Sequence, residues 1–169
     1  MPHTSHATHA TPARRRSPEE QARLHQAITD LWEQRITFNT VLGLKVESLD
    51  PTAPRLRFDM RPELVGHFLY GRLHGGVISA ALDAMGGFAL TTAIGEKHPD
   101  ESADQVMHRF GRMGTIDLRI DYLRQGIGQH FIATAEVTRL GGRVGSTQMR
   151  LHNDEGLLVA TGAAAYIVS

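Results

Sequence analysis

The chain contains no cysteine, which excludes disulfides and thiolate catalysis. It has no excess of either charge. Lys plus Arg and Asp plus Glu both number 18, for a formal net charge of zero. That balance argues against a nucleic-acid binder, which carries a basic surplus. No stretch resembles a signal peptide or a spanning helix, so the expectation is a cytoplasmic protein with no membrane or nucleic-acid partner. No internal repeat is visible. What is present is 169 residues, 41% of them hydrophobic. That suffices for one domain with a real core and a tail.

The chain is organised around His74-Gly75-Gly76-Val77-Ile78-Ser79-Ala80-Ala81-Leu82-Asp83-Ala84-Met85-Gly86-Gly87-Phe88-Ala89-Leu90. This reads as a helix that is apolar nearly all round. Val77, Ala81, Ala84 and Phe88 fall on one side, with Ile78, Leu82 and Met85 beside them. A helix without a polar face belongs inside a core. It reads as too short and too broken by glycine to cross a membrane. Asp83 sits in its middle, where a carboxylate needs a partner, a raised pKa or a task. Gly75 and Gly76 open the helix, where N–H groups lack intrahelical acceptors and suit an anionic oxygen. A carboxylate and an oxyanion site are the parts of an acyl-transfer or hydrolytic centre. Gly86 and Gly87 each cost roughly 1 kcal/mol against Ala in a helix. A close approach of another element is a reason to keep them.

Residues 1–16 lack any apolar period and read as a disordered tail. The spacing of His3, His6 and His9 there is weak evidence for a metal, and no metal is expected. Ser17-Pro18-Glu19-Glu20 starts a helix: Ser17 caps it, Pro18 suits the first position, and Glu20 completes a capping box. Leu24, Ile28, Leu31 and Trp32 follow at helical spacing, and this helix, 17–36, is expected to be structural cover. Phe38–Leu44 reads as a connection. Leu44–Ser48 and Arg55–Met60 read as strands around an Asp50-Pro51 turn. Arg61–Leu73 is irregular. Ala93–Gly114 is a long polar connection, helical around Ala103–Phe110. Its Glu96, His98, Asp100 and Glu101 read as solvated. Thr115–Arg124, His130–Arg139, Val144–His152 and Leu157–Val168 read as strands, with turns at Leu140–Arg143 and Asn153–Gly156. Consecutive hairpins make an antiparallel sheet. The fold class is therefore α+β: a curved antiparallel sheet around one central helix, with an extra N-terminal helix and a single domain over 17–169.

Gly71-Arg72-Leu73-His74-Gly75-Gly76, with Asp83 nine positions after His74, resembles the signature of hotdog-fold acyl-CoA thioesterases, in the phenylacetyl-CoA thioesterase-like branch. Thr115–Arg124 resembles that family's next strand. Arg139–Arg143 and Asp154–Ala160 resemble its last hairpins. The resemblance implies a homodimer, often paired into a tetramer, that hydrolyses acyl-CoA without a cofactor, CoA being part of the substrate. It implies that Asp83 is nucleophile or general base, that Gly75 N–H holds the thioester oxygen, and that His74 shapes the loop. Thr115 matches the hydroxyl that orients water. Arg139, Gly142 and Arg143 fall where the fold meets the CoA nucleotide. Relatives often carry Asn where this chain has Phe68; either the adjacent His67 or backbone groups alone would replace it.

Gly75 and Asp83 stand about 12 Å apart along a helix rising ~1.5 Å per residue. They cannot both touch one carbonyl. Two such helices antiparallel across a two-fold would bring Gly75 of one chain to Asp83 of the other. Strict alternation sets Thr115 opposite Ile116, Leu118 and Ile120, unless a bulge intervenes. Two other functions stay open: a hotdog hydratase, for which His74 and Asp83 have the wrong spacing, and a non-catalytic acyl-CoA binder.

Overall fold

The computed structural model describes residues 15–169. The expected tail therefore lies outside the described residues, His3, His6 and His9 included, except for its last two residues. Arg16 is a correction. Its N–H donates to Pro99 O at 2.7 Å, and its guanidinium donates to His98 O at 2.6 Å, to Glu101 O at 2.9 Å and to Gly95 O. A cation on the last carbonyls of a helix complements its dipole and its unpaired acceptors.

Helix α1 spans Pro18–Asp30, and the Ser17 side chain accepts from Glu20 N–H as expected. The reciprocal half of that capping box is absent. Glu20 Oε1 accepts instead from Ala103 N–H at 2.7 Å, tying α1 to the later helix α4 (Ala103–Phe110). The chain leaves α1 through a π-turn, Leu31–Arg35, and re-enters a short helix α2, Thr37–Leu42. The expected connection after Phe38 is thus helical. It ends at Gly43, whose φ of 72° is left-handed and favours glycine.

The central helix α3 runs Gly75–Lys97, two turns beyond Leu90. At 23 residues it is long and apolar enough to cross a membrane by length and composition, which overturns the expectation that it is too short. It is the core helix instead. Ala81, Leu82, Met85, Phe88, Ala89 and Leu90 are fully buried, each large side chain contributing about 1.5–3 kcal/mol. Its first half keeps a partly exposed stripe through Val77, Ala80, Asp83 and Ala84.

Strands β1 (Lys45–Ser48) and β2 (Arg55–Asp59) precede it. The stretch read as irregular holds a small hairpin, β3 (Val65–His67) and β4 (Arg72–Leu73). After α4 come β5 (Gly114–Tyr122), β6 (His130–Leu140), β7 (Val144–Asn153) and β8 (Leu158–Ile167). The main sheet has six strands in the order β1-β2-β6-β7-β8-β5, all neighbours antiparallel. Alternation explains its inner face: Phe131 and Ala133 on β6 and Met149 and Leu151 on β7 point at α3 and are buried. β5 is the last strand, so its outer edge is unpaired among the described residues.

Candidate active site

Tyr166 reaches Asp83 because Gly86, one turn further along α3, has no side chain. A Cβ there would collide with the Tyr166 hydroxyl and stand 2.8 Å from Thr147 Oγ1. Tyr166 of β8 can therefore lie against the helix. Its hydroxyl is 2.8 Å from the Asp83 carbonyl and 3.3 Å from Asp83 Oδ1. Gly87 plays the same part on the other side, where a Cβ would meet the Trp32 ring at 3.1 Å. Close approach is thus what both glycines supply.

Thr115 also reaches Asp83, its Oγ1 donating to Oδ1 at 2.8 Å. Plain alternation would turn Thr115 away. β5 carries a bulge between Thr115 and Asp117, so Thr115 pairs with Tyr166 while Leu118 pairs with Ala164. The extra residue, Ile116, changes the parity and puts Thr115 on the helix face. Asp83 is half-buried and Oδ2 has no hydrogen-bond partner among the described residues. One oxygen is anchored and the other is open, as a general base or nucleophile requires. Burial, and after it the Asp83 carboxylate, holds the Tyr166 phenol well above its ordinary value. It stays a proton donor.

These groups form one wall of a cavity of about 230 Å³. Trp32, Ile36 and Phe38 come from the π-turn and α2, Ala84 and Gly87 from α3, and Phe110 and Met113 from the α4 side. The N-terminal helical segment is thus more than cover. Trp32 packs edge-on against Phe88 and Phe110, with ring centroids 5.6 and 5.7 Å apart. A larger cleft, about 480 Å³, lies along α4 between Asp104, His108, Arg109 and Arg112. It contains none of the expected residues, and Arg109 is already engaged. Glu101 binds that guanidinium, which holds the Glu101 carboxyl below its ordinary value against the opposing effect of burial.

His74 is the N-cap of α3, and its Nδ1 accepts from Gly76 N–H at 2.9 Å. That leaves the ring proton on Nε2. Gly75 N–H, one residue earlier, has no acceptor among the described residues. Gly75 and Asp83 lie on the same helix, eight residues apart, which spans about 12 Å. One chain therefore does not bring them together. His67 lies on β3, half-buried, with Nδ1 buried and unpartnered. It stacks at 5.9 Å on Phe68, which is 86% exposed. Arg139, Gly142 and Arg143 sit at the β6–β7 turn, beside the far end of α3, where Lys97 Nζ is 3.4 Å from Leu140 O. They are at the opposite end of the helix from Gly75. No cluster of metal-ligating side chains occurs among the described residues.

No local sequence motif marks Trp32, Tyr166 or the Phe110–Met113 wall as lining this cavity. The available signal was the Gly86-Gly87 pair, which required bulky neighbours on both sides of the helix.

The profile of the Thioesterase superfamily matches residues 70–160, from the β3–β4 hairpin into β8. The chain is 38% identical over 141 residues to the Salmonella typhimurium protein named medium/long-chain acyl-CoA thioesterase YigI, covering 83% of this chain and 91% of that one. The Escherichia coli K12 protein of the same name matches equally. A crystal structure of a Shewanella oneidensis protein related to the thioesterase superfamily superposes with a TM-score of 0.84 at 34% identity, over 91% of this chain and all of that one. Mouse thioesterase superfamily member 2 shares the fold, with a TM-score of 0.66 at 19% identity over 85% of this chain and 96% of that one. The sheet around α3, the His74-Gly75-Gly76 helix start and the Asp83–Thr115 pair thus occur in a chain that belongs to the thioesterase superfamily and has its hotdog fold.

Proposed function

We propose that this protein hydrolyses acyl-CoA thioesters, with Asp83 as the reacting carboxylate and the acyl group in the adjoining cavity. The observation that carries the reading is the Thr115–Asp83 hydrogen bond at the wall of an apolar cavity. Thr115 fixes Oδ1, and Oδ2 is left to take a proton from water as that water attacks the acyl carbonyl. The variant is direct attack by Oδ2, giving an anhydride that water then opens. In both, the oxygen of the tetrahedral intermediate accepts from Gly75 N–H, and its collapse expels the CoA thiolate. No cofactor takes part. The apolar lining and the names of the curated relatives support a medium- or long-chain fatty acyl group.

The separation of Gly75 from Asp83 supports a site shared by two copies in a homodimer, with a tetramer as a further pairing. The open edge of β5 and the partly exposed stripe of α3 offer the surface for it. His67 is assigned to the same loop region, and Arg139, Gly142 and Arg143 to the nucleotide end of CoA. The cell compartment proposed is the cytoplasm.

The test is thiol release from acyl-CoAs of graded length, measured on wild type and Asp83→Asn. The expected result is turnover by wild type and none by a folded Asp83→Asn protein. Tight acyl-CoA binding without thiol release by wild type would replace the enzyme with a binding module.

A further inference from the structure

Strand β5 touches α3 at two stations. Thr115 meets Asp83 at one end, and Tyr122 meets Gly75 at the other. The Tyr122 hydroxyl is 3.2 Å from Gly75 O and 2.5 Å from Ser79 Oγ, and Ser79 Oγ is itself 3.1 Å from Gly75 O. Two hydroxyls thus converge on one carbonyl. Each has a single proton. If Tyr122 donates to Ser79, Ser79 donates to Gly75 O. If Ser79 donates to Tyr122, Tyr122 donates to Gly75 O. Either way one hydroxyl proton reaches that carbonyl.

The same peptide unit is held at its other end. Its N–H belongs to Gly76 and donates to His74 Nδ1 at 2.9 Å. The Gly75–Gly76 peptide is therefore clamped at both its oxygen and its nitrogen. It lies in the first turn of α3, where the helix ladder begins and two successive glycines add backbone freedom that these contacts oppose. The ring of Tyr122 also stands 3.5 Å from where a Gly75 side chain would begin.

Resting on the reading of Gly75 N–H as the oxyanion donor, we infer that Tyr122 and Ser79 are positioning residues for it. They fix the peptide that follows Gly75 and so aim the N–H that precedes it. Neither hydroxyl hydrogen-bonds the Asp83 carboxylate. An aimed donor matters most when charge has developed on the oxygen, so the effect belongs to the transition state rather than to substrate binding.

The relay makes a distinctive test. Tyr122→Phe leaves Ser79 to donate to Gly75 O, and Ser79→Ala leaves Tyr122 to do so. Each single variant should keep kcat within about threefold of wild type, and the double variant should lose at least about tenfold, more than the product of the singles. KM should stay within about twofold, because ground-state binding is not what is lost. Thermal unfolding of all three is followed alongside. A double variant with wild-type kcat, or one whose loss lies in KM, overturns the inference. So does a loss equal to the product of the singles that tracks a fall in Tm. Asp83→Asn is measured in the same series. If it turns over like wild type, the catalytic reading itself fails; if it is inactive while the double variant is unimpaired, only the clamp fails.

Discussion

Thr115 donates to Asp83 across 2.8 Å because β5 spends one residue, Ile116, on a bulge. Replacing Thr115 by Val keeps the shape and removes the donor. A hydrogen bond to a charged group contributes about 1.5–3 kcal/mol. Thr115→Val should therefore lower kcat about tenfold to a hundredfold, with KM little changed, and Thr115→Ser should recover most of it. Steady-state thiol release checks both variants. Full activity in Thr115→Val would leave the bulge without a catalytic consequence.

The cavity beside Asp83 gives a prediction about chain length. Ala84 lines it from α3, and Trp32 and Phe110 line it from the other elements. Ala84→Leu adds three carbons to a space of about 230 Å³. The expected outcome is a specificity shift: kcat/KM for octanoyl-CoA and longer substrates falls much more than for acetyl-CoA. One methylene in an apolar pocket changes discrimination by about 1–3 kcal/mol. A uniform loss across the series would place the acyl chain elsewhere.

Tyr166 carries a pH prediction. Its phenol is raised above the ordinary value, by burial first and by the Asp83 carboxylate second. The unfolded chain therefore loses this proton at lower pH than the folded one. The stabilisation is complete below about pH 10, the ordinary tyrosine value, and is lost as pH rises from there toward the raised value. Tyr166→Phe should lower Tm at pH 8 through the lost hydrogen bonds. The gap between the two proteins should close as pH rises past 10. A gap that is constant with pH would show the phenol to be unperturbed.

Local pattern accounts for what the sequence revealed. The all-apolar helix, the hairpins and α4 follow from periodicity and turn residues within a few positions of each other. Asp83 stands out because it is the one ionisable residue between Gly75 and Gly95, and Thr115 follows from the family resemblance, a bulge being needed to turn it inward. Tyr166 lies 83 positions from Asp83, and no local pattern links them. Arg16 reads as tail because its acceptors, Gly95 O and His98 O, are about eighty residues away. Trp32 reads as ordinary amphipathic cover for the same reason. Its place over the cavity depends on the π-turn and α2 folding back across α3, which a helical period cannot express. The last turns of α3 are hard to read locally because polar residues follow Leu90, although Thr91 and Thr92 donate to helix carbonyls at 2.9 Å and are buried.

The shared site makes the strongest claim about assembly, and the helix start allows a clean test. If Gly75 of one subunit serves Asp83 of another, two differently damaged subunits should complement. Gly75 is the first residue of α3, the position where proline is best tolerated, since its N–H has no intrahelical role. His74 before it has φ −66° and ψ 138°, the extended region that a residue preceding proline requires. Gly75→Pro should thus remove the N–H donor and spare the helix. Homodimers of Gly75→Pro and of Asp83→Ala should both be inactive. A mixed dimer contains one site with both defects and one with neither, so it should recover up to half the wild-type activity. The two variants are co-expressed with different tags, the doubly tagged species is purified, and thiol release is measured per dimer. A folded mixed dimer without activity would place both groups of each site in one chain. That would require Gly75 and Asp83 to close a gap of about 12 Å on a rigid helix.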